Sequence, residues 1–171
     1  FNNNTNVVVL NENTSHLNDS TFINCIDRTL NSISPEEEKQ FAPDILITIG
    51  DAIVSKRIKA FFIKHRPERH IAVNYSEIGI DTYNCLNEHY KSDPATFFKL
   101  LNQSSIQRNT INFEAKWRSA DLIAKDRLSG FFTLDKSRTD IHVFYHLNEN
   151  LKSNDILHMA NSSVVRYMQL F

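Results

Sequence analysis

The stretch Asp44-Ile-Leu-Ile-Thr-Ile49 is a nearly continuous apolar run, of the kind that parallel sheets bury on both faces. Gly50-Asp51 turns the chain after it, and apolar residues at helical spacing predict a helix that ends before Pro67. A second run of strand-forming residues, Arg69-His-Ile-Ala-Val-Asn74, follows that helix. A strand, a helix and a strand in this order predict a right-handed βαβ unit and therefore a parallel sheet.

The segments around this unit extend the alternating pattern. Val7-Val-Val-Leu10 is a β-branched run and is predicted to form a strand. Residues 20–33 have helical spacing, and Ser34-Pro35-Glu36 resembles a helix start with proline at the first helical position. A weaker strand is predicted near Leu86. The fold class predicted for the chain is therefore α/β, with a three-layer, Rossmann-like parallel sheet.

The chain changes character after residue 101. Residues 102–112 are polar and aperiodic, and we interpret them as an interdomain linker. Helices are expected on both sides of this linker, at residues 97–101, 117–128 and 138–151.

A short strand, Asp155-Ile-Leu-His-Met-Ala160, is the last predicted element, and His158 would be a buried imidazole within it. We therefore predict two domains. Residues 1–105 form the Rossmann-like domain, and residues 106–171 form helices and the first strand of an incomplete second α/β unit. The missing initiator methionine also suggests a fragment of a longer protein.

Composition excludes several classes of function. A hydrophobic content of 41% and a net charge of −1 allow a buried core and provide no broad field for nucleic acid or membrane. No apolar run approaches the roughly 18 residues of a membrane span. Cys25 and Cys85 are far apart and form no CxxC motif, so we expect free thiols in the cytoplasm.

Motifs for complete catalytic or metal sites are missing from the sequence. With only three glycines, neither GxGxxG nor a P-loop can be written. His142 and His146 are four residues apart but have no acidic third ligand beside them, so we predict no metal site. No catalytic residue is predicted within this chain.

A cationic cluster at the start of the helix after Gly50 is the first binding candidate. Lys56, Arg57 and Lys59 crowd its first turn, where the helix dipole disfavours each cation by about 0.3–1 kcal/mol. Such an arrangement could bind an anion through side chains and backbone N–H groups together. The alternative is a row of solvated cations, with Asp51 offsetting part of the charge.

Asn161, Ser162 and Arg166 form the second candidate. The asparagine amide and the serine hydroxyl could donate hydrogen bonds to a carbonyl or carboxylate, while the guanidinium binds another acidic group. The alternative is a helix cap at Ser162 or Ser163, with Arg166 in solvent.

Two segments together resemble one enzyme family. Ile49-Gly50-Asp51-Ala-Ile-Val-Ser55-Lys56-Arg57 and Ala160-Asn161-Ser162-Ser-Val-Val-Arg166 are similar, in order and separation, to motifs of the SEPHCHC synthases of menaquinone biosynthesis. Those enzymes depend on thiamine diphosphate and have pyrimidine-binding, middle and diphosphate-binding domains. The resemblance implies that this chain is the middle domain with the start of the diphosphate-binding domain. Ala160 stands where the family commonly has glycine.

The resemblance also implies a reaction and roles for the two candidates. The full-length enzyme would decarboxylate 2-oxoglutarate and add the four-carbon unit to isochorismate, using thiamine diphosphate and Mg²⁺. Lys56 and Arg57 would bind substrate carboxylates, and Asn161, Ser162 and Arg166 would line the same pocket. The cofactor-binding residues would lie outside this chain, so we expect the fragment alone to be inactive and to bind no cofactor. The full-length enzyme would be a homodimer or homotetramer.

A second hypothesis belongs to another class of function. The chain could be a non-catalytic, Rossmann-like binding or assembly module, because a parallel sheet without its glycine fingerprint can serve as a scaffold.

Overall fold

The computed structural model describes residues 6–17, 19–50, 53–103, 112–135 and 137–171. It contains two compact units. The first comprises Phe1–Val8 and Ser34–Lys116, and the second comprises Val9–Ile33 and Trp117–Phe171. Each unit therefore joins an N-terminal segment to a later one. The predicted domain boundary near residue 105 lies outside the described residues and stays a prediction.

The first unit contains a three-stranded, fully parallel sheet. Its strands are β1 (Ile45–Ile49), β2 (Arg69–Asn74) and β3 (Leu86–Lys91), in the order β1-β2-β3. Thr48 pairs with Ala72 in the β1–β2 register, and a shift follows His70 where β2 meets β3. The predicted α/β class and the three predicted strands of this region are confirmed.

Two α-helices accompany the sheet: α2 (Lys56–Lys64) and α3 (Pro94–Gln103). Both occur where helical spacing predicted them, and α3 extends beyond the predicted 97–101. The predicted helix start at Ser34-Pro35-Glu36 is wrong, because that segment is a turn followed by a 3-10 helix at Glu38–Phe41. Backbone N–H groups of Glu37 and Glu38 both donate to the Ser34 carbonyl, so the segment closes as a turn.

Aromatic rings join α2 to β2 in the core of the first unit. The Phe62 ring lies 5.4 Å from that of Tyr83, which lies 5.2 Å from the His70 imidazole. His70 is only 1% exposed, and its Nε2 lies 3.0 Å from Thr48 Oγ1 on β1. A histidine on the inner face of β2 thus links two strands and a helix.

The second unit consists of helices. They are α1 (Ile26–Leu30), α4 (Phe113–Leu134), α5 (Asp140–Asn150) and α6 (Ser163–Met168), with the first residues of α4 assigned to the first unit. The predicted helices within 20–33, 117–128 and 138–151 are confirmed. A 3-10 helix at Asn13–Ser15 follows the N-terminal segment.

Two predicted strands are wrong. Val7–Leu10 forms a single bridge, Leu10 to Ile23, because a 3-10 helix and α1 begin too soon afterwards for further pairing. Asp155–Ala160 is not a strand; Ile156 is 85% exposed, and no strand among the described residues lies beside it. The expected second α/β unit is therefore helical where the structure describes it, and His158 is exposed rather than buried.

A polar cluster holds α1 against α4. Arg28 Nη2 lies 3.0 Å from Asp121 Oδ1, and the Thr29 hydroxyl donates to the same oxygen at 2.7 Å. The Ser32 hydroxyl lies 2.8 Å from the Ala120 carbonyl oxygen. Three neighbouring side chains of the N-terminal segment thus attach to consecutive residues of α4. In the part of the chain that the structure describes, no helix has the length and apolar character needed to cross a membrane.

Burial of His70 predicts a pH-dependent stability of the first unit. Desolvation lowers the pKa of this imidazole below the value of about 6.5 expected in the unfolded chain. Between these two values the unfolded state binds more protons than the folded state, so stability rises with pH and is lost as the pH falls below about 6.5.

His70→Phe should therefore reduce the loss of the free energy of unfolding that occurs as the pH falls below about 6.5, measured by urea denaturation at several pH values. Thr48→Val is the matched control, because it removes the hydrogen-bond partner but keeps the imidazole buried, and its slope should match the parent protein. An unchanged slope in His70→Phe would contradict the assignment.

Candidate functional site

The cationic candidate lies at the first turn of α2. Ser55 is 3% exposed and caps the helix, since its hydroxyl oxygen accepts a hydrogen bond from Ile58 N at 3.0 Å. Lys56 and Arg57 follow the cap and are exposed. The capped turn therefore fixes the backbone from which both cations project into solvent.

Electrostatics at this turn are unusual. The first turn of α2 contains no acidic residue, and Lys56 makes no hydrogen bond or ion pair with any residue that the structure describes. Cations at a helix N-terminus are disfavoured by the dipole, so an anionic ligand would be favoured here. Asp51, the expected offset to this charge, lies outside the described residues.

A pocket opens beside this turn, at the carboxyl ends of β1 and β2. It is small, with a cavity volume of about 10 Å³, room for about one water molecule, and is lined by Thr48, Gly50, Ile53, Ala72, Asn74, Ile80 and Thr82. Gly50 directly follows β1 and has φ +84°, a conformation that glycine adopts without strain. This edge is where α/β proteins commonly bind ligands.

Asn74 is the buried polar group of this pocket, at 4% exposure. Its Oδ1 accepts from Ser76 N at 3.1 Å and lies 2.8 Å from His89 Nε2. Because a backbone N–H can only donate, these contacts orient the amide and leave Nδ2 without a partner among the described residues. The sequence analysis missed this residue, although a polar side chain at the end of a buried strand was a usable signal.

The second candidate lies around the start of α6. Ser162 occupies the N-cap position, but its side chain makes no capping hydrogen bond. Its backbone N–H donates instead to Asn161 Oδ1 at 2.7 Å. The alternative of a helix cap is thus confirmed for the position of Ser162 but not for its side chain, because the hydroxyl does not cap the helix.

Backbone strain marks the same residue. Ser162 has φ +90° and ψ −133°, a region that residues with a Cβ rarely adopt and that costs about 1–3 kcal/mol. Such strain is concentrated at ligand-binding positions in proteins. The Ser162 backbone is therefore independent support for a functional loop here.

Burial fixes which side of α6 faces solvent. Val165 and Gln169 are 8% and 5% exposed, and they lie four residues apart on one side of the helix. Arg166 follows Val165, lies about 100° away around the axis and is exposed. Ser162, which precedes the helix with a non-helical backbone, is exposed as well. Arg166 makes no ion pair within the described part of the chain.

The predicted residues fall into two groups. Lys56 and Arg57 are neighbours in the first unit, and Asn161, Ser162 and Arg166 are neighbours in the second. The structure confirms that each group is local and exposed. Their convergence on a common pocket stays a prediction.

The histidine pair has no metal-binding arrangement. His142 is buried and its Nδ1 lies 3.0 Å from Thr139 Oγ1, while His146 is exposed. Over the described ranges, no three His, Cys, Asp or Glu side chains come close enough to hold a metal ion.

Comparisons with known proteins identify similar sequences. The chain is 35% identical over 164 residues to the 2-succinyl-5-enolpyruvyl-6-hydroxy-3-cyclohexene-1-carboxylate (SEPHCHC) synthase of Flavobacterium johnsoniae, covering 96% of this chain and 29% of that protein. The synthase of Flavobacterium psychrophilum is 31% identical, with 99% and 30% covered. That of Phocaeicola vulgatus is 32% identical, with 92% and 28% covered.

The predicted resemblance to SEPHCHC synthases is thus confirmed. The chain spans about three-tenths of the length of these curated relatives. No protein-family model and no solved structure matches it.

Strain at Ser162 leads to a testable substitution. Ser162→Gly removes the Cβ that disfavours φ +90° and should raise the free energy of unfolding by about 1 kcal/mol in urea denaturation. Ser162→Ala is the matched control, because it also removes the hydroxyl but keeps the Cβ, so it should give no such gain. Equal stabilities of the two variants would contradict the strained conformation.

Proposed function

We propose that this chain, which is related over nearly its whole length to SEPHCHC synthases, is the middle section of such a synthase. Sequence similarity along 96% of the chain carries the proposal. The complete enzyme would be a thiamine-diphosphate-dependent transferase of menaquinone biosynthesis. It would decarboxylate 2-oxoglutarate and add the remaining four-carbon unit to isochorismate.

Charge complementarity supports this substrate class. 2-Oxoglutarate and isochorismate each carry two carboxylates at neutral pH, and the two candidates supply exposed cations. Lys56 and Arg57 would bind substrate carboxylates from the start of α2. The dipole penalty of cations at this turn is then offset when an anion binds.

The loop before α6 would act on the same substrates. The Arg166 guanidinium can bind a carboxylate through two parallel hydrogen bonds. Ser162 retains a free hydroxyl in the described structure, and Asn161 retains its amide N–H₂, so both could donate to a neighbouring oxygen. These residues would position substrates, while the chemistry of electron withdrawal belongs to the cofactor when it is bound.

The fold is compatible with these roles. In the proposed arrangement the first unit is the Rossmann-like middle domain, and its pocket and cations lie at the carboxyl end of the sheet. Residues 106–171 would lead into the diphosphate-binding domain, with the boundary near residue 105. The complete enzyme would be a homodimer or homotetramer.

The site for magnesium and diphosphate would lie outside this chain, in the rest of the complete enzyme. In the described structure no group of three His, Cys, Asp or Glu side chains could hold a metal ion. We assign no cofactor-binding role to these residues. The proposed contribution of this chain is to bind and orient the substrates.

Substitutions in the full-length enzyme test the proposal. Lys56→Ala and Arg166→Ala should each raise the KM for an acidic substrate by about ten- to a hundredfold, since a lost hydrogen bond to a charged group is worth about 1.5–3 kcal/mol. Thiamine diphosphate affinity, measured by calorimetric titration, should stay within about twofold.

Arg127→Ala, which removes an exposed cation of α4 that the proposal does not use, is the matched control and should leave both quantities unchanged. Normal steady-state kinetics in Lys56→Ala and Arg166→Ala would overturn the anion-binding roles and favour the alternative of a non-catalytic module.

A further inference from the structure

We propose that Arg28 is a positioning residue for the loop and helix that carry Ser162 and Arg166. This inference rests on the proposed function of that loop. Arg28 lies in α1 and does not belong to either candidate site. It would act by holding the carboxyl end of α6 in place, and so by fixing the direction of the Arg166 side chain.

Arg28 contacts the chain just beyond the end of α6. Its Nη1 donates to the Leu170 carbonyl oxygen at 3.1 Å, two residues after the last residue of the helix. The partner is a backbone atom, so the contact restrains the path of the chain itself. The segment after α6 is thus held by a residue that lies 142 positions earlier in the sequence.

The guanidinium is itself held in place. Its Nη2 lies 3.0 Å from Asp121 Oδ1, and the Arg28 side chain is 11% exposed. The Thr29 hydroxyl also donates to Asp121 Oδ1, at 2.7 Å, which keeps the carboxylate oriented. A planar guanidinium can reach two acceptors in fixed directions at once, whereas a lysine ammonium on a flexible stem lacks this fork.

A second polar contact restrains the same end of α6. Gln169 Nε2 lies 3.3 Å from Asn13 Oδ1, in the 3-10 helix of the N-terminal segment. Gln169 and Val165 are buried on one side of the helix. The rotation of α6 about its own axis is therefore set by contacts at its buried side and its carboxyl end.

External restraint matters because α6 is short. It has six residues, and isolated helices shorter than about 12–15 residues are marginal in water. Arg166 lies one residue from buried Val165 and points away from it, so a shift of the carboxyl end moves its guanidinium directly. A displacement of about 1 Å in a substrate-positioning group can reduce activity about a hundredfold.

Kinetics of the full-length enzyme test this inference. Arg28→Met keeps the length and apolar stem of the side chain and removes both contacts, so the KM for the acidic substrates should rise about tenfold. Because Arg28 would act only through the position of the substrate-binding groups, thiamine diphosphate affinity should remain within about twofold of the parent enzyme. Arg28→Lys should recover part of the loss, since an ammonium can make one of the two contacts.

A double substitution separates positioning from general destabilisation. If Arg28 acts through Arg166, adding Arg28→Met to Arg166→Ala should cause less than a twofold further rise in KM. Independent effects that multiply to the full product would overturn the inference. Ser32→Ala is the matched structural control, because it removes the contact of the segment after α1 with Ala120 and leaves α6 untouched; its urea midpoint should fall while its KM stays unchanged.

Asp121→Asn provides a milder variant in case Arg28→Met fails to fold. It keeps the shape of the side chain and removes the charge that holds the guanidinium, so KM should rise in the same direction by a smaller factor. A parental KM in Asp121→Asn and Arg28→Lys would overturn the inference. If Arg166→Ala has normal KM, the proposed function fails instead, and the two failures are thereby distinguished.

Discussion

The ion pair between Arg28 and Asp121 fixes how α1 meets α4 in the second unit. It joins α1 to α4 across 93 residues of sequence. The other terminal nitrogen of the guanidinium donates to the Leu170 carbonyl oxygen, just after α6. A partly buried ion pair adds little net stability, because desolvation offsets most of its attraction. Its main effect is geometric. The Asp121 carboxylate and the Leu170 carbonyl oxygen hold the Arg28 guanidinium in one orientation, and this fixes the position of α6, which apolar packing of so short a helix would leave loosely defined.

The first unit is organised by a different constraint, the parallel pairing of β2 with two neighbours. The buried face of this sheet must be covered, and α2 does so with Phe61 and Phe62, which are buried. The first turn of α2 lies at the carboxyl edge of the sheet. The two buried polar side chains of β2 each contact a neighbouring strand through one atom: His70 Nε2 lies beside Thr48 of β1, and Asn74 Oδ1 lies beside His89 of β3. The same topology that buries most of β2 brings the pocket and the cations of α2 to one end of the unit.

Sequence alone predicted β1 and β2 because each contains an apolar run (Ile45–Ile47 and Ile71–Val73), whereas β3 is mostly polar and gave only a weak signal. The segment Asp155–Ala160 also contains apolar residues typical of a strand but forms none, since composition does not reveal whether another strand lies beside it. The strand predicted at Val7–Leu10 is wrong for a related reason: the segments that pair at Leu10 and Ile23 are extended for too few residues. Arg28 could not be identified as site-related, because its importance comes from partners in other elements, whereas Asn74 was missed although its place at the end of β2 was a usable signal. The two candidate groups were found because their motifs are local.

Local rules of protein structure are obeyed and broken in an informative pattern. Ser55 caps α2 with a normal hydrogen bond, yet two cations follow it where the dipole disfavours them. Ser162 occupies a cap position without capping and has a strained backbone. Departures from local preference persist when something else compensates for them, most often at functional sites. That both departures fall within the segments that resemble SEPHCHC synthases is a physical reason, separate from sequence identity, to place ligand binding there.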